Sequence, residues 1–238
     1  MDSLVHSEIK RYQGLKSTRD SIFRRDWQTI SQYFAPQLSN INTEKTESLT
    51  GWTDEVYDTT GSEAARVCAS GQKTWFTPST EPWFAFEPPQ SLGEENEDSD
   101  EAALWCARAT EVALSELSLS NFYDRIHECY DARSIFATGC LFAEEGTPGS
   151  SALNFRQFKV GDYCIAENAQ GIVDTFYREF KLTARQIQQQ FPNAELSQKV
   201  KDALAQDKPD EKFAVLHVIR LREEIERKLG AKDAKNKP

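Results

Sequence analysis

The sequence has few of the groups that catalysis needs. It holds three histidines, and the patterns GxxxxGK[ST], GxGxxG, GxSxG and HExxH do not occur in it. Histidine is the most frequent general base, so the choice of acid–base residues is narrow. Adjacent carboxylates such as Glu144 and Glu145 point to opposite faces of a strand and make poor acid–base partners. We therefore expect a protein that is not an enzyme and that carries no cofactor.

Long apolar runs and paired cysteines are also missing. No stretch approaches the roughly 20 apolar residues that a membrane-spanning helix needs, and residues 1–11 have no apolar signal core. The five cysteines are odd in number and contain no CxxC, which is typical of reduced thiols in the cytoplasm. His127 and Cys129 stand two apart, but no second pair completes a zinc site. We expect no membrane partner and no metal.

Basic side chains are fewer than acidic ones. The chain has 38 acidic and 28 basic side chains, a net charge of −10. This balance argues against a clamp that grips nucleic acid through its phosphates, but it leaves room for a surface that DNA passes without sticking. Residues 94–101 hold six carboxylates and are expected to form a solvated loop. Their spacing does not match a calcium-binding loop.

The start of the chain is predicted to be a long helix from about Ser3 to Phe34. Apolar residues recur there every three or four positions, and Pro36 ends the pattern. We expect the aromatic face of this helix to pack on a core; it holds Phe23, Trp27, Ile30 and Phe34. Residues 37–60 are rich in serine, threonine and asparagine and are expected to form a loop.

Three further helices are predicted before residue 139. One runs from Ser62, its expected N-cap, to about Trp75. A helical pair then covers about residues 103–136, with Ser120 as the N-cap of the second helix and Gly139 closing it. Between these helices lies a run of prolines and aromatics that excludes regular helix. We expect it to be an extended arm on an apolar surface; it contains Pro78, Pro82, Trp83 and Phe84.

From Cys140 onward the apolar period changes to two, which indicates strands. The expected strands cover residues 140–144, 153–158, 163–167, 172–180 and 213–221. Short helices are expected at 184–191, capped by Thr183, and at 196–205. The predicted class is α+β, with long N-terminal helices followed by a small, mostly antiparallel sheet with short helices. We expect a mainly helical segment at 1–138, a β-rich segment at 139–221 and a charged tail at 222–238.

The order of these landmarks resembles the portal, or head-to-tail connecting, proteins of short-tailed bacteriophages. The resemblance rests on Arg24-Arg25-Asp26-Trp27, Tyr33-Phe34-Ala35-Pro36, Val56-Tyr57-Asp58-Thr59-Thr60-Gly61, Trp75-Phe76-Thr77-Pro78, Pro82-Trp83-Phe84 and Leu119-Ser120-Asn121-Phe122-Tyr123. Further on, the turn at Gly139, Asn168-Ala169-Gln170-Gly171, Thr183-Ala184-Arg185-Gln186 and Phe191-Pro192 follow in the same order. The resemblance covers most of residues 10–221.

The resemblance implies a structural subunit of a ring of about a dozen copies at one capsid vertex. Double-stranded DNA passes through such a ring without sequence-specific binding during packaging and ejection, and the capsid, the packaging terminase and the tail proteins are its partners. The subunit assembles in the host cytoplasm and ends at the head–tail junction of the virion. Portal proteins are much longer than this chain, so it is expected to supply the outer, wing portion.

The resemblance also suggests roles for particular residues. As structural or interface candidates it marks Trp27, Pro36, Trp75, Pro78, Pro82, Trp83, Phe84 and Gly139. Two other interpretations remain open: a non-enzymatic phage adaptor or other α+β interaction domain, and a thiol hydrolase that uses Cys140 with His127.

Overall fold

The computed structural model describes residues 2–36, 58–88, 97–146, 149, 151–206 and 208–221. The helices in these ranges are α1 (Asp2–Phe34), α2 (Thr60–Phe76), α3 (Glu97–Leu119), α4 (Phe122–Phe136), α5 (Ala184–Gln190) and α6 (Gln198–Ala205). The strands are β1 (Cys140–Glu145), β2 (Leu153–Phe158), β3 (Tyr163–Glu167), β4 (Val173–Thr183) and β5 (Lys212–Arg220). The α+β class is confirmed. The predicted loop at 37–57, the acidic residues 94–96 and the tail at 222–238 lie outside the described residues.

The strands form two antiparallel sheets. One is the β1–β2 pair, and the other has the order β3-β4-β5. The β4–β5 pairing runs without a register shift from Thr183 opposite Lys212 to Thr175 opposite Arg220. The β3–β4 pairing has one irregularity, at Ala166 and Glu167.

The chain divides into two compact units. The sheet unit combines Met1–Phe23 with Gly161–Pro238, and the helical unit is Arg24–Val160. Helix α1 therefore contributes its first part to one unit and its last part to the other. The division into segments at residue 138 follows the change of secondary structure and stays a prediction.

The sheet unit has two small cores. In the first, Tyr12 of α1 packs against Cys164 and Tyr177. The second lies under the short helices and is formed by Ala184, Ile187, Val200 and Ala203. Each large apolar side chain that is fully buried contributes roughly 1.5–3 kcal/mol. Thr183 caps α5 as expected, and its side chain and that of Gln186 exchange hydrogen bonds with each other's backbone N–H groups.

The helical unit is built around α4, which contacts α2, α3, β1 and β2. The buried aromatic residues of this core are Phe122, Tyr130, Phe136, Phe155 and Phe158. Phe122, Tyr130 and Phe136 recur on one side of α4, because a helix brings residues three or four apart onto the same face. Phe155 and Phe158 come from β2.

Helix α1 extends as predicted, but its aromatic face is not a buried face throughout. Phe23 and Phe34 are 48% and 43% exposed, while Tyr12 and Ser31 are buried. Trp27 and Ile30 are half-buried. The prediction that all four apolar residues pack on a core is thus wrong for Phe23 and Phe34. Periodicity shows which residues share a helix face, but it does not show whether a partner covers that face.

Three predicted helix starts need correction. Helix α2 begins at Thr60 with Thr59 as its N-cap, so Ser62 lies inside the first turn. The acidic residues from Glu97 onward are the first turns of α3 and not a loop. Carboxylates are favourable there because the N-terminal end of a helix carries a partial positive charge. At α4, Asn121 is the N-cap, although the Ser120 hydroxyl accepts the N–H of Phe122 at 3.1 Å.

Gly139 does not close α4 in the way that we expected. The left-handed residue after the helix is Ala137, with φ of 58°. Gly139 is needed for another reason, since a Cβ built on it would lie 2.7 Å from both the carbonyl oxygen and the Sγ of Cys129. The turn into β1 therefore depends on a close backbone approach and not on the backbone freedom of glycine.

We predict that Gly139→Ala lowers the free energy of unfolding by about 1–3 kcal/mol, because the carbonyl of Cys129 belongs to α4 and has little freedom to move away. Gly14→Ala in α1 is the matched control, since no atom lies within 4 Å of its Cβ position. The control is expected to be neutral or to stabilise by about 0.5–1 kcal/mol. Urea unfolding followed by circular dichroism measures both. Equal effects of the two substitutions would contradict the steric explanation.

Candidate functional site

The run of prolines and aromatics forms an arm, residues 82–88, without regular secondary structure. The ring of Trp83 stacks on Phe122 of α4, with centroids 6.0 Å apart and planes 5° from parallel. Its Nε1 donates to the hydroxyl of Tyr123 at 3.3 Å. The backbone N–H of Phe86 donates to Thr110 of α3 at 2.9 Å. The arm therefore lies on α3 and α4, as the sequence predicts.

Phe122 links the arm to the β1–β2 sheet. It is buried, and its ring meets Phe155 of β2 edge-on at 5.1 Å. Next to it, the side chain of Asn121 accepts the N–H of Phe155 at 2.8 Å and donates to the carbonyl of the same residue at 3.0 Å. These contacts hold the arm, α4 and β2 in one arrangement.

A second aromatic group joins α2 to α4. The guanidinium of Arg133 lies 5.7 Å from the ring centroid of Phe76 and 5.4 Å from that of Tyr130. Arg133 also donates to Gln72, whose side-chain nitrogen donates to Ser134 at 2.8 Å. Hydrogen bonds from Ser134 and Gln72 hold the pKa of the exposed Cys68 thiol below its ordinary value.

Two tryptophans of the helical unit project outward. Trp75 at the end of α2 is 84% exposed and Trp105 in α3 is 68% exposed. Trp105 shares a stripe of α3 with Val112 and Leu119, each seven residues apart and each exposed. Exposed apolar groups of this size are typical of protein–protein contact surfaces. We call Trp75, Trp105, Val112 and Leu119 the exposed apolar set.

The predicted candidate residues fall into different surroundings. Trp83 and Phe84 are half-buried and in contact, with centroids 4.8 Å apart. Trp27 and Pro36 are half-buried, on α1 and just after it, and Pro78 is half-buried before the arm. Pro82 is exposed at the start of the arm. The structure therefore brings Trp83 and Phe84 together and shows Trp75 on the surface.

Sequence reasoning missed the stripe on α3. The spacing of Ala103, Ala107, Thr110, Leu114 and Leu117 predicts an apolar face, and that face lies on the opposite side of the helix. The missed signal was the spacing of Trp105, Val112 and Leu119, since residues seven apart share a helix face. Two apolar stripes on one helix predict two contacts, and only one of them is made within the described residues.

In the sheet unit, two tyrosine–glutamate pairs fasten α1 to the sheet. The hydroxyl of Tyr12 donates to Glu179 at 3.0 Å, and that of Tyr177 donates to Glu8. Arg220 also donates to Glu8, at 2.8 Å. Burial and the hydrogen bond to Glu8 raise the pKa of Tyr177 to about 12. Burial and Glu179 likewise raise the pKa of Tyr12.

Two opposing effects set the pKa of the Glu179 carboxyl. Burial raises the pKa of this carboxyl, but hydrogen bonds from Lys16 and Tyr12 outweigh it and hold the pKa below its ordinary value. The Nζ of Lys16 lies 3.1 Å from the carboxylate. Glu179 is therefore charged at neutral pH and accepts from both side chains.

The histidine of the hydrolase hypothesis, His127, lies beside a carboxylate of its own helix. The Nε2 of His127 lies 3.9 Å from the carboxylate of Asp131 on the same helix. Burial raises the pKa of Asp131. Within the described residues all five cysteines are free thiols, and no group of three or more His, Cys, Asp and Glu is placed to hold a metal ion. Over the same ranges no helix combines the length and apolarity that crossing a bilayer requires.

The packed arm and the exposed apolar set belong to a protein of the α+β class whose described residues leave large apolar side chains on the surface. The model of one protein family, described as "Bacteriophage head to tail connecting protein", matches residues 6–238. The chain belongs to this family, which confirms the resemblance seen in the sequence.

Two curated relatives are portal proteins of phages. The chain is 27% identical over 212 residues to the probable portal protein of Bordetella phage BPP-1, an alignment that covers 89% of the chain and 37% of the relative. It is 27% identical over 230 residues to the portal protein of Salmonella phage epsilon15, covering 97% of the chain and 40% of the relative. The chain thus spans about two fifths of the length of these relatives.

We predict that Tyr177→Phe flattens the loss of stability at alkaline pH. The pKa of Tyr177 in the folded protein, about 12, lies above the ordinary value of 10.0. Its contribution is therefore fully present below pH 10 and is lost as the pH rises from 10 to 12. At neutral pH the variant should be less stable by about 1–2 kcal/mol, because the hydrogen bond to Glu8 is removed.

Urea unfolding at several pH values measures the difference between the variant and the wild type, which should shrink toward pH 12. Tyr33→Phe, on an exposed side chain, is the control. A difference that stays constant from pH 9 to pH 12 would contradict the assignment.

Proposed function

We propose that the chain is a structural subunit of a phage or prophage portal, the head–tail connector ring through which double-stranded DNA is packaged and ejected. The observation that carries the proposal is the family match over residues 6–238, together with two relatives named as portal proteins. The role is structural and not enzymatic. The part that the chain supplies is the outer wing.

The proposed partners are further copies of the chain, the capsid, the packaging terminase and the tail proteins. The subunit acts at the head–tail junction after assembly in the host cytoplasm. The net charge of −10 supports a subunit that does not bind DNA tightly, since phosphate contacts need lysine and arginine.

The exposed apolar set supports the contacts that a ring requires. Trp75 and Trp105 leave large aromatic surfaces uncovered in the single chain. Tryptophan is enriched among the residues that dominate binding energy at protein interfaces. Trp83 and Phe84 support the proposal differently, because they fix the arm inside the subunit. We propose Trp27, Pro36, Pro78, Pro82 and Gly139 as residues that shape the subunit around these surfaces.

Imaging by negative-stain electron microscopy, combined with light scattering, tests the proposed function. Closed rings of about a dozen copies are the expected result. A chain that stays monomeric at every concentration would count against the portal proposal and favour an adaptor or another interaction domain.

We predict that two tryptophan substitutions change different properties: Trp83→Ala lowers stability and Trp75→Ala weakens self-association. Trp83→Ala should lower the free energy of unfolding by about 2–4 kcal/mol, because the stack on Phe122 and the half-buried ring are lost. Trp75→Ala should change it by less than about 0.5 kcal/mol, because the side chain is exposed. The Trp75 variant should instead weaken self-association by about ten-fold or more.

Thermal unfolding and sedimentation velocity measure the two properties on the same samples. Each variant is the control for the other. A Trp75 variant that associates as well as the wild type would remove Trp75 from the interface, and an unfolding loss similar to that of Trp83→Ala would assign it to the core.

A further inference from the structure

Two of the four outer strands in the described sheets have capped edges. On β2, the amide of Asn121 bonds both the N–H and the carbonyl of Phe155. Both backbone groups of one residue point to the same side of an antiparallel strand, so Asn121 takes the place of a neighbouring strand. On β3, Arg19 donates to the carbonyl of Tyr163 at 2.7 Å. Side chains of the subunit thus occupy part of each of these two edges.

The edges of β1 and β5 differ. Within the described ranges no strand pairs with the outer side of either one. Strand β5 is nine residues long, contains no proline and keeps its register with β4 throughout. Its lysine and arginine stand at its two ends, Lys212 and Arg220. Proline, bulges and inner charges are the usual protection of an edge, and β5 has none of them.

A groove lies beside the first half of β5. It has a volume of about 440 Å³ and is lined by three consecutive strand residues, Phe213, Ala214 and Val215. Phe213 and Val215 are two apart and share the face of the sheet that packs against the core under the short helices. Its other wall is mainly apolar and includes Ile187, Phe191, Leu196 and Val200. An added strand would find room there for its side chains.

The charges of the two edges are complementary. Strand β1 ends in Glu144 and Glu145, whereas β5 begins with Lys212. Glu145 and Lys212 are both exposed. Antiparallel pairing in the register that aligns the end of β1 with the start of β5 places Glu145 opposite Lys212. The six residues of β1 reach about 20 Å, which matches the part of β5 from Lys212 to His217.

We propose that β1 of one copy of this chain adds to the open edge of β5 of a second copy, antiparallel, with Glu145 facing Lys212. The inference rests on the proposed function, since it needs copies that associate. Each contact uses the β5 edge of one copy and the β1 edge of its neighbour. The first copy therefore keeps an unpaired β1 edge and the second an unpaired β5 edge, to which further copies can add. Such a head-to-tail contact propagates, and it closes into a ring when the rotation between copies fits.

Charge reversal tests the pairing in the 238-residue chain. Glu145→Lys and Lys212→Glu should each weaken self-association by about five-fold, and the double reversal should restore it. Sedimentation velocity measures association, and circular dichroism checks the fold. Glu167→Lys is the matched control, because Glu167 is likewise an exposed acid at the end of an outer strand, β3, and takes no part in the proposed pairing. It should leave association unchanged.

A cross-link gives a second readout. The variant Glu145→Cys with Lys212→Cys, oxidised by copper phenanthroline and oxygen, should form covalent multimers whose peptides join positions 145 and 212 of different copies. If the wild-type chain forms rings but the variants show neither the charge effect nor this cross-link, the strand pairing is overturned and the proposed function still stands. A chain that never self-associates would overturn the strand pairing and count against the proposed function as well.

Discussion

The stacking of Trp83 on Phe122 is the contact on which the helical unit depends. It ties the arm to α4, while Phe122 continues through Phe155 into β2. A two-stranded sheet alone is marginally stable, so β1 and β2 need this support from a helix. Because Asn121 adjoins the same contact and caps the backbone of Phe155, the packing also decides which sheet edge is occupied. The aromatic core therefore sets what the unit presents outward.

In the sheet unit, the polar groups of buried side chains join one element to another. Tyr12 and Tyr177 bury their rings and place their hydroxyls on Glu179 and Glu8. A buried phenol without a partner would be costly, and here each one joins α1 to the sheet. Arg19 adds a cap to β3. Among the described strands, no further strand pairs with the outer edge of β5 in the sheet unit or with that of β1 in the helical unit, and the exposed apolar set lies on the surface of the helical unit.

Much of this fold could be predicted from the sequence, because it rests on local signals. The proline after α1, the change of apolar period at Cys140 and the Thr183 cap each fix an element. The aromatic run at Trp83 also predicted an arm on an apolar surface. The exposure of Phe23 and Phe34 could not be predicted, since periodicity does not report whether a face is covered. The role of Gly139 was hidden too, because its reason is a carbonyl ten residues away.

Copies of the chain are proposed to associate through surfaces that a single chain leaves open. Hydrogen–deuterium exchange, compared between dilute monomer and concentrated assembly, measures the protection of these surfaces. We expect added protection in residues 140–145 and 212–217 on assembly, with no change in β3. Exchange in those two segments that is the same at both concentrations would contradict it.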